Sequence, residues 1–276
     1  MLTEEEFRLF RNLIYEESGI YLKETKKDFL ENRVVKRMNE TKTQSPYRYF
    51  KMVATSRKTE LITLLDLLTV NETSFFRNRP QIELFRNIIL PDIEDGKRPD
   101  ARKRLRIWSA GCSTGEEPYT LAMIVREALL GLGSWDVKIF ASDLSMSVLE
   151  AAHRAEYALD KVLATVDDYY LAKYFTTNGK TVRVKDEIRN MVVFDFHNLK
   201  NDNGLGDLDV IFCRNVMIYF DDAAQKSLVG KFSRSLNPGG YLVIGHAESI
   251  QGWNTGMQFV YHNGGTAYKK PGVEVS

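Results

Sequence analysis

The residues most suited to binding a ligand form a short glycine-bearing loop. A β-rich run, Leu105 to Ser109, leads directly into Gly111 to Gly115, and a helical pattern follows. Glycines at such a place let the backbone approach a ligand, and the free amides of a helix N-terminus can bind it. The GxxxG spacing alone is a weak signal, so the prediction of a cofactor loop depends on its place after a strand.

Two carboxylates, Glu116 and Glu117, come directly after this loop. They would repel a pyrophosphate group, whereas a phosphate-binding loop usually continues with lysine or a neutral turn. The loop therefore favours a cationic ligand, and S-adenosylmethionine carries both a sulfonium and an ammonium group. The alternative is that the two acids only complement the dipole of the helix that they begin.

A third carboxylate, Asp143, lies where the next predicted strand ends, two residues after the β-rich run Val137 to Ala141. An acid at the end of the strand beside a glycine loop is placed to accept both hydroxyls of a ribose. A helix N-cap is the alternative, because Asp143 to Ser145 also precede a helical pattern. The joint occurrence of loop and acid, in this order, favours ribose binding.

The elements that must position these residues follow a βαβ pattern. Helical segments such as Tyr119 to Leu130 and Met146 to Ala155 alternate with β-rich runs, which predicts a parallel sheet with ligands at its carboxyl edge. The remaining β-rich runs are Met191 to Asp195, Leu208 to Cys213 and Tyr241 to Gly245.

One stretch, residues 172–196, breaks this alternation. Its short strands are predicted at Tyr174 to Thr177, Thr181 to Val184 and Met191 to Phe196, with an Asn178-Gly179 turn between the first two. Closely spaced strands joined by such turns predict a small antiparallel insertion in the larger domain.

The first 75 residues show little of the alternation that is typical of strands. Apolar residues recur at helical spacing from Leu2 to Ile14 and again from Leu61 to Leu68, and Ser45-Pro46 marks a helix start. We therefore predict an all-helical domain at 1–75, a linker and cofactor-covering segment at 76–104, and the cofactor-binding domain at 105–276.

Composition narrows the class of protein. The apolar fraction of 43%, the charged fraction of 27% and the net charge of +1 are typical of a globular protein without global attraction to nucleic acid or membrane. The acidic start lacks the features of a signal peptide, and no apolar run is long enough to span a bilayer. We expect a cytoplasmic protein, monomeric, with Cys112 and Cys213 reduced. We expect no metal site, because His197, His246 and Cys213 lack ligand spacing.

Several segments together resemble the chemotaxis receptor methyltransferase family, CheR. The resemblance spans nearly the whole chain, and its longest motif, FCRNVMIYFD, occupies Phe212 to Asp221. The other segments are Asn71 to Arg77 (NETSFFR), Trp108 to Tyr119, Ala141 to Asp143, Asn198-Leu199 and Gly245 to Glu248 (GHAE).

The resemblance implies an α/β fold: a Rossmann-like S-adenosylmethionine methyltransferase sheet, an N-terminal helical domain and a small antiparallel β-subdomain. It implies methylation of glutamate side chains on methyl-accepting chemotaxis receptors, giving γ-glutamyl methyl esters and S-adenosylhomocysteine. Arg77 and Tyr219 would face the methyl group and the substrate. Carried over by position, the cofactor contacts are Asn71, Thr73, Arg77, Glu117, Asp143, Asn198, Leu199, Arg214 and Asn215, beside the loop at Gly111.

This assignment is chemically consistent. A glutamate carboxylate is ionised at neutral pH, because its pKa is about 4.3, so no general base is needed. Arg77 could orient the carboxylate through its planar guanidinium, and Tyr219 could hold the second oxygen by a hydrogen bond. The alternatives are that Arg77 caps a helix or pairs with Glu83, and that Tyr219 is half-buried core.

A basic stretch extends from Lys23 to Lys58. If Asp28 to Met38 is helical, Lys26, Arg33 and Arg37 share one stripe, with Lys36 beside it. A solvated surface is the alternative. The resemblance implies a glutamate-rich helical substrate, the cytoplasmic domain of a chemoreceptor, and a basic face would steer and dock it.

Two other functions are compatible with the same residues. A basic patch also suits a nucleic-acid methyltransferase, although no nucleic-acid-reading module is recognisable, and a non-catalytic S-adenosylmethionine-binding regulator would share the same loop.

Some family members bind a receptor C-terminal pentapeptide by strand addition to the subdomain. The turn at Thr176 to Thr181 is tight here, so we expect independence from that tether.

Overall fold

The chain was analysed as a computed structural model that describes residues 1–57, 59–69, 71–97, 103–129 and 134–272. The predicted helix end at Leu130 and the end of the basic stretch at Lys58 lie outside these residues. The helices are α1 Glu4–Ser18, α2 Lys27–Thr41, α3 Pro46–Thr55, α4 Glu60–Leu68, α5 Arg79–Leu84, α6 Leu90–Asp95, α7 Glu116–Ala128, α8 Met146–Arg154, α9 Leu159–Leu163, α10 Asp168–Tyr174, α11 Asp186–Arg189 and α12 Asp222–Ser235. The strands are β1 Lys103–Ala110, β2 Trp135–Asp143, β3 Glu156–Ala158, β4 Phe175–Asn178, β5 Thr181–Val184, β6 Val192–Phe196, β7 Leu208–Cys213, β8 Leu236–Ile244, β9 Gln258–His262 and β10 Gly265–Lys269.

Helices α1 to α4 pack around a core of their own. Their starts follow from local sequence, because Thr3 and Glu6 form a capping box on α1 and the Ser45 side chain caps α3 before Pro46. The apolar stripes of α1, which includes Phe7, and of α4 both lie in this core, where α1 packs against α2 and α3, and α4 packs against the same two helices. The predicted N-terminal helical architecture is confirmed.

The segment after α4 is more structured than a linker. Helix α5 continues through a π-helical turn, Phe85–Ile89, into α6. Leu84, Phe85 and Ile89 are fully buried in the core of the sheet-bearing part of the chain. The boundaries at 75 and 104 stay a prediction, but this segment packs as part of the larger unit.

The larger unit is built on a seven-stranded sheet with the order β6-β2-β1-β7-β8-β10-β9. Strands β6, β2, β1, β7 and β8 are parallel, and the hairpin of β9 and β10 adds to β8 in the antiparallel sense. The order reverses at β1, with β2 on one side and β7 on the other, so a crevice for a ligand lies at the carboxyl ends of these strands. The predicted α/β class is confirmed.

The antiparallel insertion is present, but one of its predicted strands was wrong. The small sheet has the order β3-β5-β4, and its third strand is Glu156–Ala158, directly after α8. Val192–Phe196, predicted as part of the insertion, instead pairs in parallel with β2 at the edge of the main sheet. Local alternation predicts a strand but not its partner, which here is distant in sequence.

Among the described residues, no helix has the length and apolar character needed to span a membrane. Cys112 and Cys213 are both buried free thiols.

Candidate active site

A cavity of 230 Å³ lies at the carboxyl edge of the main sheet, where the reversal in strand order predicts a ligand site. Ser18, the last residue of α1, and Ile20, just after it, also line this cavity. Every residue that the sequence assigned to the cofactor or to catalysis lines it, namely Asn71, Thr73, Arg77, Gly111, Glu117, Asp143, Asn198, Leu199, Arg214, Asn215 and Tyr219.

Gly111 shapes the first turn of the loop. Its φ of +84° lies in the left-handed region, and a Cβ atom there would come within 2.4 Å of the Val216 side chain. The backbone N–H groups of Gly111 and Cys112 both donate to the Ser142 carbonyl, at 2.8 and 3.0 Å. The loop after β1 is thereby tied to the end of β2, which carries Asp143.

Asp143 is buried and pre-organised at the end of β2. Its Oδ2 accepts from Ser113 N at 2.9 Å and its Oδ1 from Ser145 N at 3.0 Å. Burial raises the pKa of Asp143, and these backbone N–H groups oppose the rise. The cap of the following helix is Ser145, which accepts from Val148 N. Asp143 is therefore free of the capping role that the sequence left open.

Glu117 has two partners within the protein. Its Oε2 pairs with Arg214 Nη1 at 3.2 Å, and its Oε1 accepts from Ser109 Oγ at 2.7 Å. The Arg214 side chain is 3% exposed and also donates from Nε to Gln81 Oε1 at 2.9 Å and from Nη2 to the Arg77 carbonyl at 2.5 Å. The pair thus connects the loop after β1, the loop after β7 and the segment that carries Arg77.

Glu116 lies outside this cavity. Its Oε2 accepts from Thr114 Oγ1 at 2.6 Å, and it lines a second, open cavity beside β3 and α9. Burial is the main cause that raises the pKa of Glu116 above its usual value of 4.5. Only Glu117 of the two acids after the loop can therefore act on a ligand in the first cavity.

The raised pKa of Glu116 predicts a pH-dependent stability. A carboxyl whose pKa is higher folded than unfolded binds more protons when folded, so its contribution to stability falls as pH rises above 4.5. Glu116→Gln is expected to match the wild type below that pH and to have a larger free energy of unfolding at neutral pH. Urea denaturation at several pH values measures this difference.

Glu117→Gln is the matched control, because it leaves the buried Arg214 without its opposite charge and should destabilise the protein at neutral pH. A Glu116→Gln variant that is less stable than the wild type at neutral pH would contradict the prediction.

Arg77 and Tyr219 both line the cavity. Arg77 Nη1 donates to the Glu72 carbonyl at 2.7 Å, so neither of its alternative roles, a helix cap or a pair with Glu83, is found among the described contacts. Burial raises the pKa of the half-buried Tyr219 phenol, and the charge of Arg77 opposes that rise. The two side chains therefore belong to the same cavity, and the charge of Arg77 acts on the phenol of Tyr219.

Two of the predicted asparagines already have partners within the protein. Asn198 Nδ2 donates to the Glu17 carbonyl at 2.7 Å, and Asn71 Nδ2 donates to Thr69 Oγ1 at 3.1 Å. Asn198 thus joins the loop after β6 to the end of α1. These contacts give the two side chains a structural role in shaping the cavity.

Sequence reasoning missed several lining residues. His197 lines the cavity, although its isolation in sequence gave no signal, and burial lowers its pKa. Ser18 and Ile20 come from the helical part of the chain, and no local pattern predicts that they reach the sheet. The remaining apolar lining is supplied by Leu144, Val216, Ile218 and Phe220.

The basic residues predicted to dock a substrate do not line the cavity. Lys26 and Lys36 are exposed, and the Arg33 guanidinium lies over the Phe29 ring at 4.1 Å from its centroid. Arg37 differs, because its Nε and Nη2 both pair with the Glu60 carboxylate at 2.8 Å. The inclusion of Arg37 in a docking stripe is therefore not supported, since its guanidinium holds α2 against α4.

Comparisons with known proteins assign both parts of the chain to one family. Residues 71–264 match the family described as CheR methyltransferase, SAM binding domain, and residues 5–69 match CheR methyltransferase, all-alpha domain. The chain is 37% identical to the chemotaxis protein methyltransferase of Salmonella typhimurium, with 90% of this chain and 85% of that protein covered. It is 35% identical to chemotaxis protein methyltransferase 2 of Vibrio cholerae, with 98% and 94% covered.

Proposed function

Because the chain belongs to the CheR methyltransferase family, we propose that it transfers the methyl group of S-adenosylmethionine to glutamate carboxylates of chemotaxis receptors. The products are γ-glutamyl methyl esters and S-adenosylhomocysteine. The observation that carries the proposal is the meeting of Asp143, the Glu117–Arg214 pair, Arg77 and Tyr219 at one cavity.

The residues present fit this cofactor. Asp143 has one backbone N–H on each oxygen, so each oxygen keeps a lone pair that can accept a ribose hydroxyl. The lining includes three carboxylates, Glu72, Glu117 and Asp143, and two guanidiniums, Arg77 and Arg214. The cavity therefore has a small excess of negative charge, which favours a sulfonium ligand over a polyphosphate. The contacts would come from Asn71, Thr73, Arg77, Gly111, Glu117, Asp143, Asn198, Leu199, Arg214 and Asn215.

The protein contributes to the reaction by positioning the substrate carboxylate against the methyl group. When bound, S-adenosylmethionine supplies an electrophilic methyl group whose transfer leaves a neutral thioether. Arg77 orients the incoming carboxylate, and Tyr219 donates a hydrogen bond to the oxygen that does not react. No residue needs to remove a proton, because the carboxylate is already ionised. Ile218 and Phe220 flank Tyr219 and line the same cavity, where their apolar side chains would limit the water near the reacting atoms.

A transfer assay with two acceptors tests the function. Radiolabelled S-adenosylmethionine is offered with a receptor cytoplasmic domain or with RNA, and the label on each acceptor is counted. Label on the receptor alone is expected. Label on RNA would support a nucleic-acid methyltransferase, and no transfer despite cofactor binding would support a non-catalytic regulator.

We further propose that the exposed basic surface on and before α2, formed by Lys26, Arg33 and Lys36, docks the glutamate-rich receptor helix. Its support is the exposure of both lysines and the fact that, within the part of the chain that the structure describes, none of these three residues forms an ion pair with a carboxylate. Opposite charges on two surfaces accelerate encounter and orient it, and salt weakens this effect.

The docking proposal predicts a salt-dependent defect. Arg33→Glu, Lys36→Glu is expected to raise KM for the receptor about tenfold at low ionic strength, with a smaller difference at about 0.5 M salt. Lys226→Glu, Arg234→Glu is the matched control, because it makes the same charge change at exposed positions on α12. An equal rise in KM for both pairs would show that only total charge matters.

Independence from a receptor pentapeptide is the last part of the proposal. Only Gly179 and Lys180 connect β4 to β5, so the subdomain hairpin has no long loop to hold an added strand. Methylation of a receptor domain that lacks its C-terminal tail is expected to match that of the intact domain. Micromolar binding of such a pentapeptide, measured by calorimetry, would refute this part.

A further inference from the structure

Glu248 lies just beyond β8, beneath the turn that carries Tyr219. Its Oε2 accepts from the backbone N–H groups of Gly245 at 2.6 Å and Asn215 at 3.1 Å. Its Oε1 accepts from Ile218 N at 3.2 Å. One carboxylate thus binds three amides from the loops after β7 and β8.

The turn that Glu248 binds does not have a relaxed shape. Asn215 has a φ of +60°, in the left-handed region, and Met217–Tyr219 form a single 3-10 turn. The left-handed conformation is unfavourable for a residue with a side chain, and hydrogen bonds from backbone N–H groups to a carboxylate are strong enough to offset this cost. The turn therefore depends on a partner outside itself.

The loops after β7 and β8 are in close contact at Gly245. A Cβ atom on Gly245 would lie 2.7 Å from Glu248 Oε2 and 2.9 Å from Asn215 N. Such contacts would push the carboxylate or the turn out of place. Gly245 is thus required for the carboxylate to reach the turn.

We propose that Glu248 is a positioning residue for methyl transfer, holding the Asn215 to Tyr219 turn so that the Tyr219 phenol stays in the cavity that Arg77 also lines. Glu248 is not among the residues that line the cavity, so it acts through the turn. The inference rests on the proposed function, because the reaction gives Tyr219 its role.

The test is a double-mutant cycle on kcat for receptor methylation. Glu248→Gln keeps the shape of the side chain but turns an NH2 group toward backbone N–H groups. We expect it to lower kcat about tenfold, because small misplacements of reacting groups are costly. In a Tyr219→Phe background the same substitution is expected to change kcat by less than about twofold, since the affected hydroxyl is already absent.

Two further variants keep the test decisive if Glu248→Gln does not fold. Gly245→Ala displaces the carboxylate sterically and should show the same loss of kcat and the same dependence on Tyr219. Glu150→Gln changes an exposed carboxylate on α8 and should leave kcat unchanged.

A full tenfold loss in the Tyr219→Phe background, or an unchanged kcat in the single variants, would overturn the inference. An inactive wild-type protein would instead contradict the proposed function.

Discussion

Arg77→Ala is expected to lower methyl transfer by about a hundredfold or more while the protein keeps its fold. Arg77 is the one guanidinium in the cavity that is not held by a carboxylate in a described ion pair, so it is free to bind the carboxylate of a substrate. Without it, the reacting oxygen is no longer aligned with the methyl group. Single-turnover rates with a receptor domain measure the loss, and circular dichroism checks the fold.

Arg79→Ala is the matched control for this variant. Arg79 lies two residues along the chain, but its guanidinium pairs with Asp167 at 2.9 Å on the surface. An exposed ion pair contributes little, roughly 0 to 1 kcal/mol, so transfer should be retained. Equal losses in the two variants would indicate a general disturbance of this segment, and a fully active Arg77→Ala would remove Arg77 from the mechanism.

Asp143→Asn is expected to weaken cofactor binding about a hundredfold. Hydrogen bonds to a charged group contribute about 1.5 to 3 kcal/mol each, and the variant weakens two that the ribose would make. The new NH2 group would also face the backbone N–H of Ser113 or Ser145, both of which now donate to Asp143. Calorimetric titration with S-adenosylhomocysteine measures the change in Kd.

Asp195→Asn controls for the loss of charge near this strand, because Asp195 is exposed on β6 opposite Ser142. It should bind S-adenosylhomocysteine as the wild type does. A Kd for Asp143→Asn within about threefold of the wild type would exclude the ribose as its partner.

The parts of the site that follow strands were predictable from sequence. Gly111 comes directly after β1 and Asp143 is the last residue of β2, and parallel strands bring their carboxyl ends to one edge of a sheet. Strand order alone therefore predicts that these two residues lie close together. Arg77 and Tyr219 required the family resemblance, because one lies before the sheet and the other in an irregular turn.

Contacts between distant segments were not predictable. The Glu117–Arg214 pair joins residues that no local pattern connects. Because of it, one of the two acids after the loop is an ion-pair partner inside the protein. Arg37 was expected at the surface because helical spacing places it in a basic stripe. The bidentate ion pair of Arg37 with Glu60 depends on how α2 packs against α4, which only the tertiary structure specifies. The three amides bound by Glu248 are another such contact.

The most direct measurement is the chemistry of the bond that the protein makes. A receptor cytoplasmic domain labelled by the protein with methyl-tritiated S-adenosylmethionine is treated with mild alkali, and the volatile label is collected. Carboxyl methyl esters hydrolyse under these conditions, so nearly all of the label is predicted to leave as methanol, and a receptor domain with its methylated glutamates replaced by alanine should take up none. Label that remains on the receptor after alkali would show methylation of another group and would contradict the account.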